Sequence, residues 1–181
     1  MKKIFIRLGH DILKNGYCTG SEGLLKEYEV VREYGKSLAE ALETQFEVKV
    51  FDSKCGTFQT SSIALSAGVK EANDWGADLF ISCHANKYNG KARGCEVCCY
   101  FKDTRTTYLA KDISKRISDK LNIPNRGVKD RLDLKEIRDT AMGALIIEPF
   151  FIDNYEDCNR YKEVGYLNLA RAICESVELY L

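Results

Sequence analysis

The sequence predicts an α/β protein: a single domain with a twisted, mixed, mostly parallel sheet of about six strands and helices on both faces of the sheet. Two observations support this prediction. Short apolar runs of strand length alternate with longer stretches whose apolar residues recur every three or four positions. The 181 residues also fit one domain of ordinary size, and no linker or internal repeat divides them. We therefore expect residues 1–181 to form one domain.

The predicted strands are short runs rich in β-branched and other apolar residues. They span residues 4–8, 47–51, 79–84, 95–101 and 144–148. Pro149 stops the last run, because proline cannot donate a hydrogen bond to a strand ladder. Only a polar loop separates the third run from the fourth, which predicts that these two strands are antiparallel neighbours.

The predicted helices each carry one apolar stripe. They span residues 26–44, 61–75, 104–121 and two stretches of 154–181 that meet near Gly165. In the third helix, for example, Leu109, Ile113 and Ile117 recur every four residues. Residues 11–23 and 52–60 are predicted loops, and the highly charged stretch 125–139 is interpreted as a solvated surface segment.

The composition excludes several classes of protein. The 27 basic and 27 acidic residues balance, which argues against a nucleic-acid partner held by bulk charge. No stretch approaches the roughly 20 apolar residues of a membrane span, so no membrane partner is predicted. The apolar run near Met1 is too short for a signal-peptide core, and we therefore expect synthesis in the cytoplasm.

Eight cysteines are present, and we expect them to be reduced. Cys95 and Cys98 form a C-x-x-C pattern inside a predicted strand. Residues three apart in a strand face opposite sides of the sheet, so this pair is poorly arranged to bind one metal ion.

Three side chains form a candidate metal site. His10 and His84, the two histidines of the chain, follow the first and third predicted strands, at the sheet edge where open α/β proteins bind ligands. Glu27 lies on the inward stripe of the first helix with Val31 and Leu38. An inward carboxylate is costly unless it is paired or metal-bound. Two histidines and one glutamate suit a catalytic zinc with its fourth position open, so one zinc ion is predicted here.

Other interpretations of these residues remain open. A histidine at a strand end is commonly a hydrogen-bonded loop residue, and Glu27 could be a first-turn glutamate favoured by the helix dipole. Glu22 is a rival ligand, although it belongs to a glycine-rich loop and lacks the helical stripe.

Glu148 ends the last predicted strand, as the two histidines end theirs. Metal-assisted hydrolysis needs a base that takes a proton from water and returns it to the leaving amine, and Glu148 is the candidate. The alternative is a structural residue at the strand end, ion-paired with Arg126 or Arg138.

The order of these motifs resembles the zinc-dependent N-acetylmuramoyl-L-alanine amidases of the third amidase family. The resemblance rests on Gly9-His10, Glu27, the segments 82–86 and 144–148, and the intervening segment 125–129. It extends from residue 3 to about residue 178. Within the family, segments 9–14 and 148–154 are similar to those of clostridial phage endolysin catalytic domains. The chain departs from many relatives at Asp11, where they have glycine, and at Met142-Gly143, where they have a proline.

The resemblance implies one zinc ion held by His10, Glu27 and His84, with Glu148 as catalytic acid and base. It implies peptidoglycan as the substrate, cut at the amide that joins the lactyl group of N-acetylmuramic acid to L-alanine of the stem peptide. Three further residues are expected to contact the substrate. They are Asn86, Arg126 and Lys129.

Two other functions stay in competition with this expectation. A zinc carboxypeptidase would act on stem peptides, and it would need an arginine for the terminal carboxylate of its substrate. A wall-binding module without catalysis would have lost a ligand or the base.

Endolysins of this kind usually carry a separate wall-binding domain after the amidase. We expect the protein to act on the cell wall after its release through a separate lysis pore. A role in phage lysis and a role in sporulation or germination are both compatible with the sequence.

Overall fold

A computed structural model describes residues 1–53 and 55–181, so residue 54 of the predicted loop 52–60 lies outside the described residues. The strands and helices follow one another along the chain with short connections. In chain order they are β1 (Lys3–Leu8), α1 (Glu27–Leu42), β2 (Glu47–Phe51), α2 (Ser61–Trp75), β3 (Leu79–Cys83), β4 (Cys95–Cys99), α3 (Thr104–Leu121), β5 (Asn125–Asp130), α4 (Lys135–Arg138), β6 (Gly143–Glu148), α5 (Tyr155–Val164) and α6 (Tyr166–Tyr180).

The six strands form one mixed sheet in the order β2-β1-β3-β6-β4-β5. All neighbouring pairs are parallel except β4 and β6, which are antiparallel. The predicted α/β fold, with a mostly parallel sheet of about six strands, is therefore confirmed. The division of the tail into two helices at Gly165 is confirmed as well.

The prediction that the third and fourth strands are neighbours was wrong. The structure inserts β6 between β3 and β4, and β4 is antiparallel to β6. The connection 84–94 is long enough to cross one strand, a distance of about 10 Å or two interstrand spacings. Sequence proximity alone could not reveal a strand that arrives much later in the chain.

Residues 125–139 lie at the surface, as interpreted, since only Glu136 and Ile137 are buried, but the interpretation did not foresee a strand and a helical turn there. Residues Asn125–Asp130 form β5, which pairs with β4 at the edge of the sheet. An edge strand has one unpaired side and tolerates charged side chains, so its composition resembled a surface segment. Residues Lys135–Arg138 form a helical turn in which Glu136 and Ile137 are buried.

Helices cover both faces of the sheet, as predicted. One apolar cluster joins the sheet to α1, α3, α5 and α6, and the other joins the opposite face to α2 and α4. Cys95 belongs to the first cluster and Cys98 to the second, so the expected opposite orientation of this pair is confirmed. All eight cysteines are free.

The sheet topology brings three loops together. Strands β1, β3 and β6 are consecutive and parallel, so the residues that follow them meet at one edge of the sheet. This edge is where His10, His84 and Glu148 lie. Among the described residues, no helix is both long and apolar enough to cross a membrane.

Candidate metal centre and active site

His10, Glu27 and His84 converge on one point at the carboxyl edge of the sheet. One ligand atom from each lies within 4.8 Å of the others. The Nε2 atom of His10 is 2.7 Å from Glu27 Oε1, and the Nδ1 atom of His84 is 3.1 Å from His10 Nε2 and 3.3 Å from Glu27 Oε1. The three residues that the sequence analysis selected are therefore brought together.

Glu27 is the first residue of α1 and is only 3% exposed. Its Oε2 atom accepts a hydrogen bond from the backbone N–H of Ser21, and its Oε1 atom accepts one from that of Ala85. Burial disfavours the charged form, but the hydrogen bonds and charges of His10 and His84 outweigh burial and hold the pKa of Glu27 well below its usual value. The carboxylate is therefore ionised and points at the two histidines.

The backbone of His10 is held in an unusual conformation. Its φ of 67° lies in the left-handed region, which non-glycine residues rarely adopt. The guanidinium of Arg32 donates to the carbonyl of His10 at 3.1 Å and to that of Gly9 at 3.2 Å. The Nδ1 atom of the His10 ring is 3.3 Å from Thr19 Oγ1, so the opposite ring nitrogen, Nε2, faces Glu27. These contacts fix the ring where the strained backbone directs it.

Both the backbone and the ring of His84 have hydrogen-bond partners. Its carbonyl accepts a 2.8 Å hydrogen bond from the buried hydroxyl of Tyr34. Burial lowers the pKa of His84, but the hydrogen bond to Glu27 and the charges of Glu148 and Glu136 outweigh it and raise the pKa to about 9. The neighbouring carboxylates thus favour positive charge at this point, and a bound cation would supply it.

The donor set fits a divalent metal ion. Tetrahedral zinc with bonds of about 2.0 Å requires ligand atoms roughly 3.3 Å apart. The three observed separations, 2.7 to 3.3 Å, are close to this spacing. The carboxylate is ionised, and each imidazole offers one nitrogen to the same point, so the residues present can hold such an ion.

The rival ligand Glu22 lies outside this cluster. Glu22 is exposed and belongs to a short backbone bridge with Lys26. The metal-ligand cluster found among the described residues contains Glu27 and not Glu22.

Glu148 lies beside the cluster. Cys83 of β3 is in register with Ile147 of β6, so the residues that follow each, His84 and Glu148, are neighbours. The Oε2 atom of Glu148 is buried without a hydrogen-bond partner in the described part of the chain. Burial, reinforced by the charges of Glu27 and other nearby carboxylates, raises the pKa of Glu148 to about 8 against the opposing charge of His84.

The alternative interpretation of Glu148 as an ion-paired residue was wrong. Arg126 pairs instead with Glu96 at 2.8 Å, and Arg138 pairs with Asp139 at 2.8 Å. Within residues 1–53 and 55–181, Glu148 makes no ion pair. A carboxyl group that has one buried, unpaired oxygen and a raised pKa is suited to proton transfer.

The three expected substrate contacts lie on the β4–β5 side of Glu148. Asn86 donates from Nδ2 to Glu96 at 3.1 Å, and Arg126 pairs with the other oxygen of Glu96. The ammonium group of Lys129 donates to the backbone carbonyl of Arg126 at 3.0 Å. Asn86 and Arg126 are thus joined through one carboxylate, whereas the Lys129 ammonium group binds the backbone of Arg126.

Sequence reasoning missed two carboxylates of this region. Glu96 precedes Val97 and Cys98 in a predicted strand, but the sequence does not reveal that Glu96 lies opposite Glu148. Glu136 belongs to a helical turn that the charge-rich segment concealed. The signal for Glu136 was its position between the apolar Leu134 and Ile137 in a charge-rich stretch.

Comparisons with known proteins agree with this arrangement. The chain matches the family model described as N-acetylmuramoyl-L-alanine amidase over residues 4–178. It is 30% identical over 182 residues to the sporulation-specific N-acetylmuramoyl-L-alanine amidase of Bacillus subtilis, covering 98% of this chain and 68% of that protein. It is 35% identical over 188 residues to an uncharacterised 38.4 kDa protein of Clostridium perfringens, covering 97% of this chain and 52% of that protein.

Among solved structures, the catalytic domain of the CD27L endolysin, which targets Clostridium difficile, is 31% identical with a TM-score of 0.92. That alignment covers 99% of this chain and 98% of the endolysin domain. The chain spans about half the length of the two Clostridium perfringens proteins that it matches, 52% and 51%. The match to the family model and the similarity to the Bacillus subtilis amidase lead to one conclusion: the chain belongs to the N-acetylmuramoyl-L-alanine amidase family.

Proposed function

We propose that this protein hydrolyses peptidoglycan at the amide between the lactyl group of N-acetylmuramic acid and L-alanine of the stem peptide. One zinc ion would be held by His10 Nε2, Glu27 Oε1 and His84 Nδ1, and Glu148 would act as general base and general acid. Relatives and a solved structure whose names state amidase or endolysin activity support the reaction. The chain's own site supports the roles of the residues.

The observation that carries the proposal is the position of Glu148 beside the three converging ligand atoms. The three ligands would hold an ion near the ends of β1 and β3. Glu148 is the last residue of β6, the strand that pairs with β3. A catalytic metal site keeps one position open and needs a protonatable group within reach of it. A site that only stabilised the fold would not need a carboxyl group whose buried oxygen has no partner among the described residues.

A bound zinc ion would supply Lewis acidity, which polarises the scissile carbonyl and makes water more acidic. Glu148 would accept the proton of the attacking water. The same carboxyl group would then donate that proton to the alanine nitrogen as the amide breaks, which completes a balanced hydrolysis. In the metal-free protein the pKa of Glu148 is raised to about 8. A bound cation would lower it towards neutrality, where one carboxyl group can both accept and donate a proton.

Asn86, Arg126 and Lys129 are proposed as substrate contacts. Arg126 and Asn86 both bind Glu96, which lies opposite Glu148 in the sheet. Their polar groups therefore lie near the proposed reacting centre. The acidic and amide groups of a stem peptide are suitable partners for an exposed guanidinium and an ammonium group.

The test is product analysis with purified Gram-positive cell walls. We expect the release of new L-alanine amino groups, no increase in sugar reducing ends, and one zinc ion per protein. A carboxypeptidase would instead release amino acids from the end of the stem peptide. Zinc-loaded protein that pellets with walls and releases no amine would favour the wall-binding module and would contradict the proposed reaction.

The greater length of the relatives leaves room for a wall-binding domain of the kind that endolysins carry. We propose that such a domain, on this or a longer chain, would raise affinity for the wall by adding a second binding site. Measuring how much of this chain pellets with purified walls tests the proposal. Tight binding by the chain alone would remove the need for a further domain.

A further inference from the structure

One nitrogen of His84 has no role in the site described above. Nδ1 faces Glu27 and His10, whereas Nε2 is buried and has no hydrogen-bond partner in the described part of the chain. An imidazole that binds a metal through one nitrogen carries its proton on the other, and that N–H needs an acceptor. The carboxylate nearest to it belongs to Glu136, whose Oε2 atom is 3.9 Å from His84 Nε2.

The surroundings of Glu136 fix which of its oxygens faces His84. Glu136 is 6% exposed. Its Oε1 atom accepts a 2.7 Å hydrogen bond from the hydroxyl of Ser82 and lies 3.5 Å from Nη1 of Arg7. Because Oε1 is engaged by these two groups, Oε2 is the oxygen left for the imidazole.

The charge balance of this cluster also favours a cationic neighbour. Arg7 is 1% exposed and is shared between Glu136 and Asp11, which it contacts at 3.0 Å. Two buried carboxylates therefore share one guanidinium, and one negative charge is left over. Buried charge is costly unless it is compensated, and a metal ion bound by His84 would bring positive charge close to this cluster.

The gap of 3.9 Å is too long for a direct hydrogen bond and too short for a bridging water. A small rotation of the Glu136 carboxyl group, which moves Oε2 by less than about 1 Å, would close this gap. A displacement of that size is ordinary side-chain motion. The segment that carries Glu136 is anchored, because the side chain of Asn73 donates to the carbonyl of Asp139 and accepts from the N–H of Ala141. The carboxylate is thus presented to His84 from a fixed backbone.

We propose that Glu136 is a positioning residue for the metal centre: it accepts the Nε2–H of His84 and so holds the ring with Nδ1 directed at the ion. Arg7 and Ser82 orient the carboxylate for this role. The inference rests on the proposed metal centre and adds to it a residue that does not contact the ion. It makes no use of the substrate or of Glu148.

The test compares zinc dissociation constants, measured by competition with a chromogenic chelator, for the unmodified protein and Glu136→Gln. The amide keeps the size of the side chain but loses the charge, so zinc affinity should fall by about 10- to 100-fold. Asp139→Asn is the matched control, since it makes the same change on an exposed carboxylate next to the same helical turn. It should leave the affinity unchanged.

A second measurement does not depend on a variant folding. In ¹H–¹⁵N spectra of the zinc-loaded, unmodified protein, the Nε2 proton of His84 should be shifted downfield and exchange slowly with water, as expected for a bond to a buried carboxylate. In Glu136→Gln this proton should move upfield. A change in stability alone would not move it.

The outcomes separate the two proposals. If the unmodified protein binds no zinc, the metal centre and the role of Glu136 both fail. If it binds zinc, but Glu136→Gln binds equally tightly and the His84 proton shows no downfield shift, only the role of Glu136 fails. Should Glu136→Gln not fold, the His84 proton of the unmodified protein decides alone.

Discussion

Glu96 lies directly opposite Glu148, in the antiparallel pairing of β4 with β6. Arg126 and Asn86 bind Glu96, whereas Glu148 keeps a buried oxygen without a partner. Directly opposite residues of a strand pair project from the same face, so two carboxyl groups share one small region. Burial is the main cause of the raised pKa of Glu148, and the charge of Glu96 adds to it.

Glu148→Gln should reduce the release of amino groups from cell walls by at least about 100-fold, because the amide cannot take up a proton from water. Zinc content should stay at that of the unmodified protein, since Glu148 is not among the converging ligands. Initial rates with metal content recorded for each sample provide the measurement. Glu40→Gln, on the exposed side of α1, should keep full activity. Activity retained in Glu148→Gln would remove Glu148 from the mechanism.

Chelation of the metal should lower the melting temperature. A ligand that binds only the folded state, at a free concentration 1,000 times its dissociation constant, stabilises by about 4 kcal/mol. Differential scanning calorimetry with zinc and with a chelator measures the difference. Glu27→Gln should abolish the response to zinc, whereas Glu22→Gln should keep it, because Glu22 is exposed. The reverse result would make Glu22 the ligand.

The stability of the metal-free protein should fall as the pH rises. The pKa of Glu148 is raised from 4.5 to about 8, so the folded state keeps a proton that the unfolded chain releases in this range. Its contribution is complete below pH 4.5 and is lost as the pH approaches 8. One such proton gives a slope of at most about 1.4 kcal/mol per pH unit.

Urea unfolding of the chelator-treated protein across this pH range measures the slope. His84, whose pKa is raised from 6.5 to about 9, adds a second loss of stability in the same direction at higher pH. Glu148→Gln should remove the loss at lower pH and retain much of the loss at higher pH. Equal slopes for the variant and the unmodified protein would show that Glu148 titrates normally.

Gly9→Ala should weaken both the fold and the metal site. A methyl group at Gly9 would meet the carbonyl oxygen of Cys83 and would come within 2.8 Å of the His84 ring. Relieving that contact means separating the ends of β1 and β3, which costs about 1–3 kcal/mol. Urea unfolding and the zinc dissociation constant check the two effects. Gly16→Ala is a comparison for the fold only, because a methyl group there meets nothing within 4 Å, although its positive φ adds strain.

Lys129→Ala should raise KM for cell-wall fragments roughly three- to tenfold with little change in kcat, the effect of losing one exposed charged contact. Steady-state kinetics with a soluble muropeptide separate the two constants. Lys115→Ala, an exposed lysine of α3 paired with Asp119, should leave both constants unchanged. An unchanged KM in Lys129→Ala would remove this residue from the substrate site.

The sequence determined the features that depend on local periodicity. The apolar stripe of α1 placed Glu27 on the buried side, and the structure finds it there with Val31 and Leu38. The apolar runs that end at His10 and His84 identified two strand ends, and parallel strands align such ends at one edge of a sheet. Those facts were enough to select the three side chains that converge in the structure.

Only the tertiary structure decided how distant segments pair. It inserted β6 between β3 and β4, which set Glu148 beside His84 and opposite Glu96. It also packed the helical turn of Glu136 against the far side of His84. Contacts between segments far apart in the chain depend on strand order and packing, and neither leaves a periodic pattern in the sequence. The three candidate ligands were therefore readable along the chain, whereas the groups that surround them became visible only once the sheet was assembled.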